Sequence, residues 1–241
     1  MTLLSNNTPE KRPNPEISLP IDWSTTPVAA TYQSQYLKIV DDVFSDEECE
    51  ALKALATSDA QWAQAAVHFG LGKNDHYVKV DYRNSDRILR FDHQAAQEIF
   101  ERLKPYVADI AEIKDGSPYS QIIWNGPLDD SVYRMVGLND RLSFLRYGPG
   151  HFFKTHCDSL PELPDGRLGK VTIQIYLGDE CVQGGATRIW GNKDTYFDVE
   201  PKKGRVLIFQ HRHVYHSGEE VTSGLKFTLR SDLMYRCSDD S

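Results

Sequence analysis

The chain has 241 residues, 40% of them apolar, and a net charge of −8 at neutral pH. This length and composition suffice for one substantial globular domain with a short extension. The negative charge argues against strong nonspecific binding to nucleic acid or to an anionic membrane surface, so we expect neither as a partner. No run of about eighteen apolar residues occurs, and we expect no transmembrane helix.

The N-terminal residues and the cysteines both indicate a cytoplasmic protein. Residues 1–7 lack the basic stretch followed by an apolar stretch that marks a secretion signal. Reduced thiols are the simplest interpretation of widely spaced cysteines without a C-x-x-C pair. The cysteines are Cys49, Cys157, Cys181 and Cys237. Nothing in the sequence favours a particular oligomeric state.

Proline and helix-capping signals organise the first half of the chain. Residues 1–35 contain five of the twelve prolines, and we expect an irregular Pro-rich extension or a strap across the domain. Residues 36–40 predict a strand, and Ser45-Asp46-Glu47-Glu48 is a capping box that opens a helix. Asp92 caps a second predicted helix, which Pro105 bends or ends. The expected buried positions of the two helices are Cys49, Leu52, Leu55, Ala56, Ala96, Ile99, Phe100, Leu103 and Val107.

From Arg141 onward, apolar and β-branched segments alternate with Gly and Pro turns. Short strands spaced in this way predict a jelly-roll sandwich or barrel. Helices that precede the strands predict an α+β fold, mainly β, with the N-terminal helices packed on one face of a sheet. The segments are 141–150, 171–177, 184–190, 204–209 and 224–230.

The triplet His156-Cys157-Asp158 predicts half of a metal site. Residues at i and i+2 of a strand point to the same side, so His156 and Asp158 can bind one metal while Cys157 turns away. Two histidines and one carboxylate occupy one face of an octahedral metal and leave the other face open, which suits non-haem Fe(II). The third ligand comes from later in the chain, where the candidates are His211, His213 and His216.

This order of motifs resembles the catalytic half of the Fe(II)/2-oxoglutarate dioxygenases, in the prolyl-4-hydroxylase-like branch. The shared features are a Tyr-Gly turn before His-x-Asp, a Tyr-Leu strand end, a Gly-Gly-x-Thr stretch, a Gly-x-x-Leu-x-Phe strand and a histidine ten residues before a lysine. The last feature selects His216, with Lys226 as the lysine. The resemblance implies a double-stranded β-helix, or jelly roll, over about residues 140–236. It lies within one dioxygenase domain that spans residues 36–241.

The resemblance also implies the cofactors and the residues that bind them. We expect Fe(II), held by His156, Asp158 and His216, together with 2-oxoglutarate as co-substrate and O2. Lys226 is expected to pair with the distal carboxylate of 2-oxoglutarate, because a buried anion needs a cation. Arg230 is assigned to the other end of the co-substrate or to an acidic substrate. The remaining expected residues are Tyr147, Tyr176 and Thr187 in the co-substrate pocket, and Gln174 and His213 as candidate substrate contacts.

Three functions remain open at this point. The first is hydroxylation or desaturation of a small molecule or amino acid, and the second is the same chemistry on a protein residue such as proline. The third is a cupin-like or β-sandwich binding protein whose histidines hold zinc or no metal. A compact chain without an evident docking module favours the small molecule over a protein. Lys226 favours an oxygenase over a zinc site, since a structural zinc site needs no pocket for an anion.

Overall fold

The computed structural model describes residues 3–4, 12–68, 76–123, 130–160, 162–178 and 182–238. Cys181, Pro9 and Pro161 lie outside these ranges. The helices are α1 (Asp46–Thr57) and α2 (His93–Leu103), with 3-10 helices η1 (Pro15–Ile17), η2 (Trp23–Thr25), η3 (Lys104–Ile110) and η4 (Ser120–Ile122). The strands are β1 (Leu37–Val40), β2 (Ala63–Gln64), β3 (Val67–His68), β4 (His76–Tyr77), β5 (Arg83–Asn84), β6 (Asp86–Phe91), β7 (Glu112–Ile113), β8 (Val132–Leu138), β9 (Arg141–Tyr147), β10 (Phe152–His156), β11 (Leu168–Tyr176), β12 (Gln183–Gly184), β13 (Thr187–Trp190), β14 (Tyr196–Val199), β15 (Val206–Gln210), β16 (His216–Gly218), β17 (Val221–Ser223) and β18 (Lys226–Ser238).

Two antiparallel sheets form the β part of the described chain. The larger sheet has the strand order β1-β15-β11-β18-β9-β6-β2, with β8 beside β18 and β7 beside β8. The smaller sheet has the order β14-β13-β16-β10-β5, and two short pairs, β12-β17 and β3-β4, lie outside both sheets. The predicted fold class, a mainly β jelly roll with supporting N-terminal helices, is confirmed.

Strand β18 shows how the larger sheet separates its core from its polar face. Successive side chains of a strand point to opposite faces. Leu229 and Leu233 belong to the hydrophobic core that also contains the helices. Lys226, Arg230 and Asp232 lie on the opposite face, and Lys226 and Asp232 are buried there. The alternation therefore places charged groups between the two sheets, where burial strengthens their interactions.

Both α-helices begin at the residues that the sequence indicates. The Ser45 hydroxyl accepts a hydrogen bond from the Glu48 backbone N–H at 3.3 Å, and the Glu48 carboxylate accepts one from the Ser45 N–H at 3.0 Å. Asp92 accepts a hydrogen bond from the Ala95 N–H at 3.0 Å. Helix α2 ends at Leu103, two residues before Pro105, and η3 begins at Lys104. Both capping predictions and the effect of Pro105 are confirmed.

The apolar faces of α1 and α2 pack against the larger sheet. All the expected buried positions are buried except Leu55 and Phe100, which are partly buried and still contact the same core. Across the described ranges, no helix combines the length and the apolar character that a membrane crossing requires.

The described part of the N-terminal segment packs on the domain. Trp23, Val28 and Tyr32 are buried in a second apolar cluster that includes Phe209 of β15. The Tyr32 hydroxyl donates to the Trp190 carbonyl at 2.6 Å. The segment thus lies across the two sheets near the end of β13. The division of the chain at residue 35 stays a prediction.

Candidate metal centre and co-substrate pocket

The three candidate metal ligands converge between the sheets. His156 ends β10, His216 begins β16, and the two residues are directly paired across these strands. One donor atom from each of His156, Asp158 and His216 lies within 4.8 Å of the other two. The Asp158 carboxylate is 3.7 Å from Nε2 of each histidine. Asp158 lies in the loop after β10, so the expectation that it shares a strand face with His156 is wrong, although the two side chains do meet.

Backbone carbonyls orient both imidazole rings toward a common point. Nδ1 of His156 lies 2.8 Å from the Lys154 carbonyl, and Nδ1 of His216 lies 3.1 Å from the Val214 carbonyl. A carbonyl only accepts, so each Nδ1 carries the proton and each Nε2 keeps a lone pair for a metal. Burial, and then the neighbouring His216, lowers the pKa of His156 to about 3, and burial also lowers the pKa of His216. Both rings are therefore neutral at physiological pH, as metal ligation requires.

Two donors fix the Asp158 carboxylate. The Thr172 hydroxyl donates to Oδ2 at 2.6 Å, and Nη2 of Arg230 lies 3.2 Å from the same oxygen. Burial alone raises the pKa of Asp158, but Arg230 and the histidines outweigh burial and hold the pKa well below its usual range. The donor set of two neutral imidazoles and one carboxylate fits Fe(II). Thr172 was not assigned a role from the sequence. The available signal was its position two residues before Gln174 on one strand, which places both side chains on the same face.

The two other candidate histidines, His211 and His213, and the intervening Cys157 do not belong to the group of converging ligands. His211 is buried and its Nε2 is 3.1 Å from Oδ1 of Asp232, so it is not solvent-facing. His213 is exposed, has a φ of 59° and lines a groove with Tyr215. Burial and the adjacent Asp158 raise the pKa of Cys157 to about 11, so its thiol stays protonated. None of these residues joins the group of converging donor atoms in the described chain.

Lys226 is a buried cation on the same face of β18 as Arg230, the residue that contacts Asp158. Its side chain is 3% exposed and its Nζ donates to the Gly185 carbonyl at 2.6 Å. The same Nζ lies 5.2 Å from the ring centre of Tyr147 and 5.7 Å from that of Tyr176. Burial lowers the pKa of Lys226 to about 8. Gly185 has a φ of +71°, and a Cβ there would lie 3.2 Å from Lys226 Cδ, so a glycine is needed for this close approach.

Two of the predicted pocket residues and one candidate substrate contact share one hydrogen-bonded group. The Tyr176 hydroxyl donates to Oγ1 of Thr187 at 2.7 Å, and Nε2 of Gln174 donates to the same oxygen at 2.9 Å. Tyr176 and Thr187 are buried, and Gln174 is half-buried. Gln174 is directly opposite Arg230 across β11 and β18. The structure therefore joins two of the residues assigned to the co-substrate, Tyr176 and Thr187, with one assigned to the substrate, Gln174.

Arginine side chains also gather on this side of the larger sheet. Arg230 pairs with Asp232 at 3.0 Å as well as with Asp158, and its role toward the co-substrate stays a prediction. Arg87 and Arg141 also lie on this face, and neither was identified from the sequence as a candidate site residue. Residues 141, 143, 145 and 147 of β9 share a face, so the two-residue periodicity leading back from Tyr147 was the signal for Arg141.

Comparisons with known proteins agree with this geometry. Residues 142–231 match the family model of the 2OG-Fe(II) oxygenase superfamily. Prolyl 4-hydroxylase 1 of Arabidopsis thaliana is 26% identical over 211 residues, which cover 79% of this chain and 65% of that protein. The chain thus spans less than two thirds of the length of this relative.

Two solved structures share the fold. A prolyl-4-hydroxylase from Pseudomonas putida has a TM-score of 0.52 at 18% identity, and the match covers 88% of this chain and 99% of that one. A prolyl hydroxylase from Trichoplax adhaerens, in complex with a peptide fragment of the hypoxia inducible factor oxygen degradation domain, has a TM-score of 0.52 at 18% identity. That match covers 91% of this chain and 90% of the other.

These relatives overturn one expectation from the sequence. A compact chain without a docking module was taken to favour a small molecule or amino acid over a protein as the substrate. That preference is wrong, because one sequence relative is a prolyl 4-hydroxylase and a structural relative of similar size is solved with a peptide bound. The compactness of the chain therefore does not favour a small molecule over a peptide.

Proposed function

We propose that this chain is a member of the 2OG-Fe(II) oxygenase superfamily, in the prolyl-4-hydroxylase-like branch, which the match of residues 142–231 to the family model and the likeness to a prolyl 4-hydroxylase support. The chain hydroxylates a prolyl residue of a peptide or protein and couples this reaction to the conversion of 2-oxoglutarate and O2 into succinate and CO2. The observation that carries the proposal is the convergence of His156, Asp158 and His216 on one point. The buried cation Lys226 on the same face of β18 as Arg230 supports it.

Fe(II) would be held by Nε2 of His156, Nε2 of His216 and the Asp158 carboxylate. When bound, the metal supplies the activation of O2 that C–H hydroxylation requires. The chain's own contribution is orientation, because the Nδ1 contacts to backbone carbonyls hold both rings and Thr172 holds the carboxylate. Hydrogen bonds of this kind typically change metal affinity or activity by about 10- to 100-fold when they are removed.

Lys226 would bind the distal carboxylate of 2-oxoglutarate. An ammonium that is already desolvated forms a strong charge-assisted hydrogen bond, since little water has to be removed when the anion arrives. Tyr147 and Tyr176 flank the Lys226 Nζ, so both rings would lie beside the bound carboxylate. The Tyr176–Thr187–Gln174 group would complete the polar lining of this pocket.

Prolyl hydroxylation is the substrate class that the relatives favour. The Arabidopsis relative is named a prolyl 4-hydroxylase, and both solved neighbours described above are prolyl hydroxylases. The family match also favours an oxygenase over the cupin-like binding protein that the sequence left open.

The test combines a metal assay with a peptide assay. Anaerobic addition of Fe(II) and 2-oxoglutarate to metal-free protein should give a visible charge-transfer absorption that requires both components. Proline-containing peptides should then gain one oxygen atom by mass spectrometry in step with succinate release. His216→Ala should abolish both signals, whereas Cys157→Ala, next to two ligands but not one of them, should retain both. A chain that turns over 2-oxoglutarate but oxidises no prolyl peptide would contradict the substrate class and leave the oxygenase assignment intact.

A further inference from the structure

Three arginines on neighbouring strands face the space between the two sheets. Arg87 lies on β6, directly opposite Leu145 of β9. Leu145 is in turn opposite Thr228 of β18, and Arg230 follows two residues later. Paired residues of adjacent strands point to the same side, and residues two apart on one strand do so as well. Arg87 and Arg230 therefore share the face that carries Lys226, and Arg141 joins them by the spacing along β9.

The charges in this group do not balance. Arg230 is neutralised by ion pairs with Asp158 and Asp232. In the part of the chain that the structure describes, no carboxylate forms an ion pair with the guanidinium of Arg87 or of Arg141, although Asp232 attracts Arg141 at longer range. Both side chains are half-buried, so they retain contact with solvent while losing part of their hydration.

Burial and repulsion between the arginines lower the pKa values of Arg87 and Arg141, and the repulsion agrees with this excess of positive charge. Burial, and then Arg83 and Arg141, lower the pKa of Arg87 to about 10. Burial, and then Arg230, lower the pKa of Arg141. Partly desolvated cations that repel one another raise the free energy of the folded protein unless an anion binds between them. A guanidinium binds a carboxylate through two parallel hydrogen bonds.

Apolar groups accompany these arginines at the edge of the larger sheet. Leu89 and Phe91 follow Arg87 at intervals of two along β6 and so share its face, yet Leu89 is 39% exposed and Phe91 is 75% exposed. Phe91 is directly opposite Arg141. Exposed apolar side chains beside unpaired cations suit a ligand with both an acidic group and an apolar body. A peptide with an acidic residue meets that description.

We propose that Arg87 and Arg141 bind a carboxylate of the substrate, so that the peptide accepted by this chain is acidic close to the residue that is hydroxylated. The proposal rests on the function proposed above and specifies its substrate class. The carboxylate comes either from an Asp or Glu side chain or from the C-terminus of the peptide. It is distinct from the distal carboxylate of 2-oxoglutarate, because Lys226 is paired with Tyr147 and Arg141 lies six residues before Tyr147 on β9, about 20 Å along the strand.

The test uses labelled peptides with one central proline. Each peptide carries a single Glu at one position flanking the proline, or Gln at that position, and each is made with a free or an amidated C-terminus. Dissociation constants are measured anaerobically by fluorescence anisotropy with Fe(II) and 2-oxoglutarate present, and kcat/KM is measured in air. The variants are Arg87→Gln, Arg141→Gln and the control Arg134→Gln, which removes a 51% exposed arginine on β8.

We expect the parent protein to bind the best acidic peptide about 10-fold more tightly than its Gln counterpart, the effect of one charge-assisted contact at a partly exposed site. Arg87→Gln and Arg141→Gln should each remove most of this preference, raise KM for the acidic peptide and leave the Gln peptide and the 2-oxoglutarate affinity unchanged. Arg134→Gln should retain the preference. A preference that depends on the free C-terminus identifies that group as the source, and one that persists after amidation identifies the side chain.

Two results would refute the role of Arg87 and Arg141 in binding an acidic peptide and would leave the proposed prolyl hydroxylation intact. One is prolyl hydroxylation with equal affinity for acidic and neutral peptides. The other is a loss of 2-oxoglutarate affinity in the Arg87 and Arg141 variants, which would assign these arginines to the co-substrate. Failure of every peptide to bind or to gain oxygen, with 2-oxoglutarate still turned over, would instead refute the prolyl substrate and this proposal together.

Discussion

Replacing Lys226 by methionine should make the metal-free protein more stable while weakening its binding of 2-oxoglutarate. Methionine has nearly the length of the lysine side chain and no charge, so it fills the same space. The pKa of Lys226 falls from the ordinary value of 10.5 to about 8 in the folded chain, because burial penalises the ammonium. At about 1.4 kcal/mol for each pH unit, this shift corresponds to about 3 kcal/mol of unfavourable free energy at neutral pH. The lost hydrogen bond to Gly185 costs about 1 kcal/mol, which leaves a net gain of about 2 kcal/mol.

The pH dependence distinguishes this cause from a change in packing. Between about pH 8 and pH 10.5 the unfolded chain binds more protons at this lysine than the folded chain, so the stability of the parent protein rises with pH. The penalty on the parent is complete below about pH 8 and is lost as the pH approaches the value of the unfolded chain. The advantage of Lys226→Met should therefore shrink by about 2 kcal/mol between about pH 7 and about pH 9.5.

The assay is urea unfolding followed by tryptophan fluorescence, with EDTA present and 2-oxoglutarate absent. Lys104→Met serves as a control, since Lys104 is 62% exposed and its pairing with Glu101 is a surface contact of little energy. The control should change the free energy of unfolding by less than about 0.5 kcal/mol at either pH. A Lys226→Met variant that is less stable than the parent by the same amount at both pH values would refute the reasoning, because the buried ammonium would then carry no penalty.

Three further outcomes can be measured. Thr172→Val should weaken Co(II) binding, as a redox-inert probe of the iron site, by about 10-fold, because the Asp158 carboxylate loses its 2.6 Å hydroxyl donor; unchanged affinity in a calorimetric titration would contradict this role. His216→Ala should abolish Co(II) binding in the same titration, whereas His211→Gln should retain it, and the reverse result would exchange the two assignments. Ser45→Ala should lower the free energy of unfolding by about 1 kcal/mol through loss of the α1 cap, without changing the affinity for the metal; an equal stability in urea would show that the cap is dispensable.

Local signals in the sequence determined the elements and most of the site. Ser45 and Asp92 begin the helices because their side chains satisfy backbone N–H groups that have no partner within the first turn, and this chemistry depends only on neighbouring residues. The alternation along β18 likewise determined which residues face the core. Ligand type and spacing, together with the resemblance to a known family, predicted that His156, Asp158 and His216 would meet.

Only the tertiary structure decided how the site is held and what surrounds it. The bond from Thr172 to Asp158 and the pairing of His211 with Asp232 join residues that lie 14 and 21 positions apart. The unbalanced charge of Arg87 and Arg141 likewise emerges only when β6, β9 and β18 are aligned in register. No local pattern encodes such contacts, because the distance between two charges depends on strand order and register, which the whole chain fixes cooperatively.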